Sequence, residues 1–320
     1  MAASVSVIMA AWNAADFIEP AIRSALDQEG VEVEVIVIDD ASCDATGDVV
    51  RAIGDRRVIY ERQAVNTGPA GARNRGLALA RHDWICVLDS DDALRPGRLL
   101  RLARAGETCA ADLVSDNFLI VGPKGEARPF LEEEADGSTV EIDAACFLQQ
   151  NLLFRTPRPL GYLKPLMRRS FVQGHGLAYD PALRIGEDFQ LVLEALLAGA
   201  RYVRVRWPGY LYTAREGSIS ARLGAAETWA MVEAAERVRR EAAIDPGSPL
   251  GRAFDDLTGS LRTGAVFNAS IEALKAKRFA TALALLAGRP RAVACYAMPI
   301  RARLGRLLPQ LGERGFRNGA

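Results

Sequence analysis

The sequence predicts an α/β fold, in which a doubly wound, mostly parallel sheet is followed by a C-terminal helical extension. Short runs rich in β-branched residues alternate with helical segments over residues 5–117, and strand–helix–strand units of this kind build parallel sheets. Among them, Trp84–Leu88 is continuously apolar, which is typical of a strand buried on both faces. Beyond residue 220 the sequence favours helices. We therefore expect an α/β domain over residues 1–220 and a helical extension over residues 221–320.

The first part of the chain alternates strands with helices. The predicted strands are Val5–Met9, Val33–Ile38, Val58–Tyr60, Trp84–Leu88 and Asp112–Asn117. The predicted helices are Ala15–Gln28, Asp44–Ile53, Gly71–Ala80 and Arg98–Cys109. The first of these helices carries its apolar residues on one face, as expected of a helix that packs on a sheet.

The second part is less regular. Residues 118–160 contain an acidic stretch and a proline-rich stretch, which suggest loops and turns. A helix is predicted to begin at Glu187, because apolar residues recur on one face, and Gly199 ends it. Two further strands are predicted at Tyr202–Val205 and Tyr210–Tyr212. The helices of the extension are predicted at Glu227–Ala243, Arg252–Lys277 and Ala280–Leu286.

Composition limits the classes of function. Lys and Arg together number 40, as do Asp and Glu, so no overall basic charge favours nucleic acid as a partner. The five cysteines form no Cys-x-x-Cys pair, which argues against a disulfide framework or a cysteine zinc site and fits a reducing compartment. Neither an apolar run of about 18 residues nor a signal-peptide pattern occurs in the sequence. We expect a cytoplasmic protein.

Three carboxylates, Asp89, Asp91 and Asp92, directly follow the apolar strand. In open sheets of this kind, ligands bind beyond the carboxyl ends of the strands. Like charges ~4 Å apart repel by about 4 kcal/mol at an effective dielectric of about 20, so the cluster favours a bound cation, and oxygen ligands suit Mg²⁺ or Mn²⁺. The alternative is a solvated acidic turn before the next helix. An EF-hand is excluded, because Leu94 and Leu100 occupy its glycine and glutamate positions.

Two other strand ends carry polar residues. The segment Ala10–Asn13 follows the first strand without a GxGxxG or P-loop pattern, so no glycine-rich loop binds phosphate there. Asp39 and Asp40 follow the second strand, where a carboxylate can accept hydrogen bonds from a ribose hydroxyl or a base N–H. Helix capping by Ser42 or Asp44 is the structural alternative for this segment.

Glu187 and Asp188 open a predicted helix, where the macrodipole favours carboxylates, so capping alone could account for them. Together with the other strand-end motifs they resemble the family 2 glycosyltransferases, inverting enzymes of the GT-A fold, over residues 5–220. The segments that carry the resemblance are Val5–Asn13, Ile38–Ser42, Asn66–Gly76, Leu88–Asp92 and Gly186–Asp188. Ala10 and Trp12 depart from the usual Pro-x-Tyr-Asn sequence of the family, which puts side-chain stacking there in doubt.

The resemblance implies a role for each matching residue. Asp40 would recognise uracil, and Asp91 with Asp89 would hold the Mg²⁺ or Mn²⁺ cofactor. Asp188 would serve as general base, with Glu187 beside it. The residues implied in contacts to the nucleotide-sugar are Ala10, Trp12, Asn13, Asp40, Gly68, Arg73, Asn74, Asp89 and Arg215.

A narrower likeness, over Tyr162–Pro165, Arg168–Phe171 and Leu183–Asp188, is to bacterial glucosyltransferases that build succinoglycan-type exopolysaccharide on a lipid carrier. The implied function is metal-dependent, inverting transfer from a UDP-sugar, with UDP-glucose expected, to a glycan or lipid-linked saccharide in exopolysaccharide or cell-surface polysaccharide synthesis. Residues 1–117 would form the nucleotide-sugar half of the domain and residues 118–220 the acceptor half.

Two other functions compete with this one. A sugar-phosphate nucleotidyltransferase also uses acidic metal ligands, but it requires a glycine-rich phosphate loop that residues 10–15 do not supply. A degenerate, binding-only glycosyltransferase domain is disfavoured by the presence of Asp91 and Asp188.

Arg215 could contact the diphosphate of the donor or could be a surface-turn arginine.

The C-terminal tail, residues 289–320, carries seven arginines among regularly placed leucines. A basic amphipathic helix of this kind can lie on an anionic membrane surface, which would place the protein peripherally on the inner face of the cytoplasmic membrane. The alternative is that the tail packs its leucines on the preceding helices. Pro299 and Pro309 interrupt any long amphipathic face.

Overall fold

A computed structural model describes residues 3–214 and 223–297. In these ranges the strands are β1 (Ala3–Ala11), β2 (Val31–Asp39), β3 (Val58–Arg62), β4 (Trp84–Val87), β5 (Ala93–Leu94), β6 (Leu113–Val121), β7 (Ala127–Pro129), β8 (Thr139–Glu141), β9 (Leu166–Arg168) and β10 (Tyr202–Thr213). The helices are α1 (Ile18–Leu26), α2 (Thr46–Ala52), α3 (Gly68–Leu79), α4 (Arg98–Thr108), α5 (Ala144–Gln149), α6 (Arg169–Gly174), α7 (Glu187–Leu197), α8 (Ala225–Glu241), α9 (Pro249–Lys275) and α10 (Phe279–Gly288). Short 3₁₀ helices cover Leu160–Tyr162 and Pro290–Tyr296.

The described strands form one sheet in the order β3-β2-β1-β4-β9-β6-β10-β5, with β7 beside β6 and β8 beside β10. The longer ladders are parallel and join β1 to β2, β1 to β4, β2 to β3, and β6 to β10. β9 runs antiparallel between β4 and β6. The predicted α/β class, a mostly parallel sheet followed by C-terminal helices, is confirmed. The carboxyl ends of β1, β2 and β4 meet at one edge.

The prediction of two strands at Tyr202–Val205 and Tyr210–Tyr212 is wrong, because both belong to the single strand β10. The pairing of β10 with β6 shifts register on either side of Pro208. Proline cannot donate to a sheet ladder and occurs within sheets at edges and bulges. Pro208 therefore interrupts the sequence pattern without ending the strand.

Residues 118–160, predicted as loops and turns, contain more regular structure than expected. β6 extends to Val121, β7 and β8 add short pieces to the sheet, and α5 begins after Asp143. The Asp143 carboxylate caps α5 by accepting a hydrogen bond from the Cys146 N–H at 2.7 Å. β7 is exposed throughout and β8 nearly so, so neither has an apolar pattern that the sequence could display.

The core covers both faces of the sheet and continues into the C-terminal helices. Consecutive residues of β1, β2 and β4 are buried, and Val238 of α8 and Phe254 of α9 join the same cluster of buried side chains. No helix in the described ranges is long and apolar enough to cross a membrane. The predicted boundary at residue 220 lies outside the described residues, so the division into domain and extension stays a prediction.

Candidate functional site

The turn after β4 carries the three acids predicted from sequence, Asp89, Asp91 and Asp92. The side chain of Asp92 contacts β10. Its buried carboxylate accepts hydrogen bonds from the Tyr210 hydroxyl at 2.7 Å and from the Thr213 N–H at 2.8 Å. Burial, together with the charges of Asp89 and Asp91, raises the pKa of Asp92 to about 8. Asp92 thus anchors the turn to β10.

Arg73 of α3 is the cation around which the predicted site residues gather. Its guanidinium donates to Asp89 Oδ1 at 2.8 Å and to Glu187 Oε1 at 2.6 Å, and lies 3.4 Å from Asp188 Oδ1. Although burial opposes the charge, Asp188 and Asp89 raise the pKa of Arg73 well above its usual range. Within the described residues, Nε of Arg73 is buried without a hydrogen-bond partner. The guanidinium therefore links the end of β4 to the start of α7.

Lys164, which lies just before β9, joins the same cluster. Its Nζ lies 2.6 Å from Asp188 Oδ2 and 3.0 Å from Asp89 Oδ2, and its side chain is only 11% exposed. Burial disfavours the ammonium charge, but Asp188 and Asp89 outweigh it and raise the pKa of Lys164. Sequence reasoning gave Lys164 no role. The only signal was its place in the segment of the narrower likeness.

The three acids around Arg73, which are Asp89, Glu187 and Asp188, differ in the direction in which their pKa is shifted. Burial raises the pKa of Asp188, but Arg73 and Lys164 lower it further, so the net shift is downward. Asp89 has a lowered pKa for the same reasons. Glu187 has a raised pKa, because of burial and the nearby charge of Asp188. Asp188 is consequently held ionised, while two cations occupy the oxygen atoms with which a base would accept a proton.

Asp40, at the end of β2, is buried and accepts three hydrogen bonds from the start of α3. Its Oδ1 accepts from the Thr67 N–H at 2.7 Å and from the Thr67 hydroxyl at 3.1 Å, and its Oδ2 accepts from the Gly68 N–H at 2.8 Å. Gly68 has a φ of 78°, which favours glycine because it lacks Cβ. An ionised carboxylate offers about four acceptor positions, so these three hydrogen bonds leave room for another. The contact of Asp40 with uracil stays a prediction.

The loops after β1 and β2 are joined by Asn13. Its N–H donates to Ser42 Oγ at 3.0 Å, and its Oδ1 accepts from the Cys43 N–H at 2.9 Å. Ser42 is thus engaged by Asn13, and the alternative that it caps α2 is wrong. Asp44 Oδ1 accepts from the Thr46 N–H at 3.0 Å, but the N-cap position of α2 is Ala45 and carries no side-chain cap. Asn13 fixes the shape of the β1 loop.

The remaining predicted contact residues fall into three situations. Trp12 is 58% exposed beside these loops, and Ala10 is half-buried in β1. Asn74 of α3 donates to the Tyr179 carbonyl at 2.8 Å and accepts from the Tyr179 N–H at 2.7 Å. Asn74 therefore holds the loop before α7 on α3. Arg215 lies outside the described residues.

The protein alone does not assemble a carboxylate cage for a metal ion. In residues 3–214 and 223–297, no group of three or more His, Cys, Asp or Glu side chains is placed to hold one. Both oxygens of Asp89 contact cations, and the roles of Asp91 and Asp89 as metal ligands stay predictions. Mg²⁺ is commonly bound by one or two carboxylates together with substrate phosphates. The carboxylates of the turn after β4 fit a cation that arrives with a phosphate-bearing ligand.

The chain is similar to two proteins of Rhizobium meliloti (strain 1021). It is 41% identical to the succinoglycan biosynthesis protein ExoO over 303 residues, which cover 95% of this chain and 86% of ExoO. It is 39% identical to the succinoglycan biosynthesis protein ExoU over 221 residues, which cover 68% of this chain and 64% of ExoU. A shorter match, 43% identical over 88 residues, covers 28% of this chain and 35% of the Escherichia coli UDP-Glc:alpha-D-GlcNAc-diphosphoundecaprenol beta-1,3-glucosyltransferase WfaP.

The fold is similar to that of TarS from S. aureus. The complex of TarS 1-349 with UDP aligns with a TM-score of 0.58 at 20% identity, covering 74% of this chain and 65% of that chain. The complex with UDP-GlcNAc aligns with a TM-score of 0.60 at 18% identity, covering 88% of this chain and 90% of that chain. The likeness concerns the fold and confirms the predicted GT-A class.

A sequence model of the family described as Glycosyl transferase family 2 matches residues 6–171. The match runs from β1 into α6 and so includes the ends of β1, β2 and β4, Arg73 and Lys164. The predicted family resemblance is confirmed, and it excludes the sugar-phosphate nucleotidyltransferase considered from the sequence. The chain belongs to glycosyl transferase family 2.

Proposed function

We propose that this enzyme transfers a sugar, with inversion, from a UDP-sugar to a glycan or lipid-linked saccharide in exopolysaccharide or cell-surface polysaccharide synthesis. The observation that carries the proposal is the cluster of Arg73, Asp89, Lys164 and Asp188 at the carboxyl edge of the sheet. It brings the acid turn after β4 within ion-pairing distance of the start of α7. A base and a donor site would then lie side by side.

UDP-glucose is the donor we propose. The relatives ExoO and ExoU are named for succinoglycan biosynthesis, and the name of WfaP includes UDP-Glc. The exposed indole of Trp12 suits stacking on a base, and Asp40 lies in the adjoining loop with acceptor capacity left. Contact of Asp40 with the uracil N–H would favour UDP over GDP and ADP.

In the proposed reaction the acceptor hydroxyl attacks the anomeric carbon of the donor as the bond to the diphosphate breaks. Asp188 accepts the proton of that hydroxyl on the face opposite the leaving group. A single displacement with base and leaving group on opposite faces inverts the anomeric configuration. Asp91 would hold Mg²⁺ or Mn²⁺, and such a cation neutralises the charge that develops on the leaving diphosphate.

Lys164 and Arg73 connect donor binding to the state of the base. A diphosphate is a stronger competitor for ammonium and guanidinium groups than a single carboxylate, because it carries more charge. A donor that draws either cation toward its phosphates would weaken the contacts on Asp188. Once the donor is in place, lone pairs of the Asp188 carboxylate would be freed from the cations, and its basicity would rise.

The acceptor side of the proposal concerns the second half of the domain and the cell compartment. Residues 118–220 would form the acceptor half, beside residues 1–117 as the nucleotide-sugar half. We place the enzyme in the cytoplasm, at the inner face of the cytoplasmic membrane where a lipid-linked acceptor would be presented. Arg215 would contribute a contact to the diphosphate.

A thermal-unfolding screen tests the donor and the metal together. UDP-, GDP- and dTDP-sugars are each added with and without Mn²⁺, because a ligand that binds the folded protein raises the Tm. We expect UDP-glucose with Mn²⁺ to raise the Tm most. Asp91→Asn should remove the Mn²⁺-dependent part of this rise in Tm, and it should also abolish transfer activity. Unchanged transfer in EDTA would refute the metal assignment, and UDP-sugar binding without transfer or hydrolysis would favour a binding-only domain.

A further inference from the structure

The last helix of the described structure exposes an apolar surface. α10 has the sequence Phe-Ala-Thr-Ala-Leu-Ala-Leu-Leu-Ala-Gly, yet only Ala282 within it is buried. Phe279 is 66% exposed and Leu283 is 71% exposed, and residues four apart lie on one face of a helix. Val293 in the following 3₁₀ helix is 53% exposed. Grouped exposure of this kind marks an interaction surface, whereas isolated apolar residues on a surface do not.

The segment that carries these apolar side chains is basic. The sequence from residue 273 to residue 297 contains no Asp or Glu. Its cations are Lys275, Lys277, Arg278, Arg289 and Arg291. All but Arg289 are exposed, and burial together with the neighbouring Arg262 and Arg291 lowers the pKa of Arg289. Residues 273–297 therefore carry five positive charges and no negative side chain.

We propose that this basic apolar surface, formed by Phe279, Leu283, Val293 and the four exposed cations of residues 275–291, docks the enzyme on an anionic lipid bilayer. Aromatic and aliphatic side chains enter the boundary between headgroups and acyl chains, while Lys and Arg extend along it to reach the phosphates. α10, with 10 residues, lies on the surface of the bilayer and does not cross it.

Charge complementarity selects lipid over the two other occupants. A second copy of the chain would bring the same cations face to face, because a two-fold contact pairs a surface with itself. The remaining tail, residues 298–320, contains five arginines and one acid, Glu313, so it adds to the positive charge. Anionic headgroups over an acyl layer satisfy both the charge and the exposed apolar area.

The inference deepens the proposed function and rests on one part of it, the lipid-linked form of the acceptor. An enzyme held at the bilayer would meet such an acceptor where its headgroup emerges. Vesicle binding can be measured without donor or acceptor, and donor hydrolysis can be measured without vesicles. Failure of one is therefore distinguishable from failure of the other.

The test is co-sedimentation of the full-length protein with vesicles of phosphatidylcholine alone or mixed with phosphatidylglycerol. We expect binding only to the anionic vesicles, and weakening by salt because screening shortens the range of the charges. The double variant Phe279→Gln, Leu283→Gln should bind at least about tenfold more weakly, from the loss of apolar burial. Lys277→Gln with Arg278→Gln should weaken binding by about 25-fold at low salt, about fivefold for each cation.

Two matched variants decide where the contact lies. Val65→Gln changes a side chain that is also 66% exposed but lies elsewhere, and it should bind as the wild type does. Wild-type vesicle binding by the Phe279 and Leu283 double variant would overturn the proposal. If Arg301→Gln with Arg303→Gln abolished binding while the α10 variants retained it, the membrane contact would belong to the tail. A change of oligomeric state in the α10 variants, with vesicle binding unchanged, would overturn the proposal in favour of a second copy.

Discussion

At the scale of residues, burial and neighbouring charges set the pKa of each carboxylate at the sheet edge. Asp188 lies between Lys164 and Arg73, which lower its pKa. Burial and the charges of Asp89 and Asp91 instead raise the pKa of Asp92 to about 8. Acids that lie close together in the fold therefore differ in their protonation at neutral pH. The sequence shows all of them as equivalent carboxylates, because the cations that distinguish them come from distant segments.

Replacement of Lys164 tests this charge balance. Lys164→Gln leaves Asp89, Glu187 and Asp188 with Arg73 as their cation, so we expect a loss of stability of about 3 kcal/mol, as for a broken buried ion pair. Asp89 and Asp188 have lowered pKa values in the folded state. The stabilisation by Lys164 is therefore present above their unfolded pKa and is lost as the pH falls through the folded values.

Denaturant unfolding of wild type and variant across a range of pH measures this effect. The exposed Lys124→Gln is the matched control and should change stability by less than about 0.5 kcal/mol. Lys164→Arg should restore part of the loss, since it keeps the charge. A difference between wild type and Lys164→Gln that did not depend on pH would contradict the ion-pair account.

At the scale of elements, two carboxylates, one within β2 and one directly after it, attach neighbouring parts of the fold. Asp40 follows β2 and receives the first N–H groups of α3. Glu34 within β2 is buried, accepts from the Ser6 hydroxyl of β1 at 2.6 Å, and receives the Arg81 N–H at 2.9 Å before β4. Each therefore fixes an element that the site depends on, and each can be tested separately.

Asp40→Asn should affect both the start of α3 and nucleotide choice. One of its oxygens is replaced by an NH₂ group that would face the N–H of Thr67 or Gly68. We therefore expect the free energy of unfolding to fall by about 1 kcal/mol, as for a removed helix cap. If Asp40 also contacts uracil, the preference for UDP over GDP and ADP should fall in competition binding. Asp48→Asn, on the exposed surface of α2, is the control. Lower stability with an unchanged preference for UDP would leave Asp40 with a structural role only.

Glu34→Gln should destabilise the protein at neutral pH. Burial raises the pKa of Glu34, but the Ser6 hydroxyl and Arg81 lower it further, so the net shift is downward. Its contribution, about 1–3 kcal/mol for hydrogen bonds to a charged group, is present above the unfolded pKa and is lost as the pH falls through the folded value. The Tm difference from wild type should therefore shrink in acid. Glu32→Gln, exposed on the same strand, should show no such difference.

The sequence predicted those elements whose own residues contain the signal. β1, β2 and β4 have continuous apolar runs and α7 has a helical period, and all four lie where expected. β10 was predicted as two strands because Pro208 interrupts its pattern. Lys164 was missed because its importance depends on Asp89 and Asp188, which reach it only through the fold. Single residues in a site depend on long-range contacts, which no local pattern records.

At the scale of the whole molecule, the reaction site and the proposed lipid surface occupy different parts of the chain. The acids and cations of the site come from the sheet edge, α3 and α7, whereas the basic apolar surface lies on α10 and the 3₁₀ helix after it. The C-terminal helices share the buried core of the sheet through α8 and α9. Membrane attachment and catalysis can therefore be altered by separate substitutions.

The most direct test of the account is UDP release from UDP-glucose in the presence of a saccharide acceptor, compared between wild type and Asp188→Asn. The amide keeps the size of the side chain and can still accept hydrogen bonds, but it lacks basicity. We expect kcat to fall by at least about 10²-fold, as for loss of a general base, with UDP binding close to that of the wild type. The Tm should fall, because Lys164 and Arg73 lose a buried ion-pair partner. Glu187→Gln should lose less activity. Equal and mild losses in both variants would contradict the account and leave Glu187 and Asp188 as the acids that open α7.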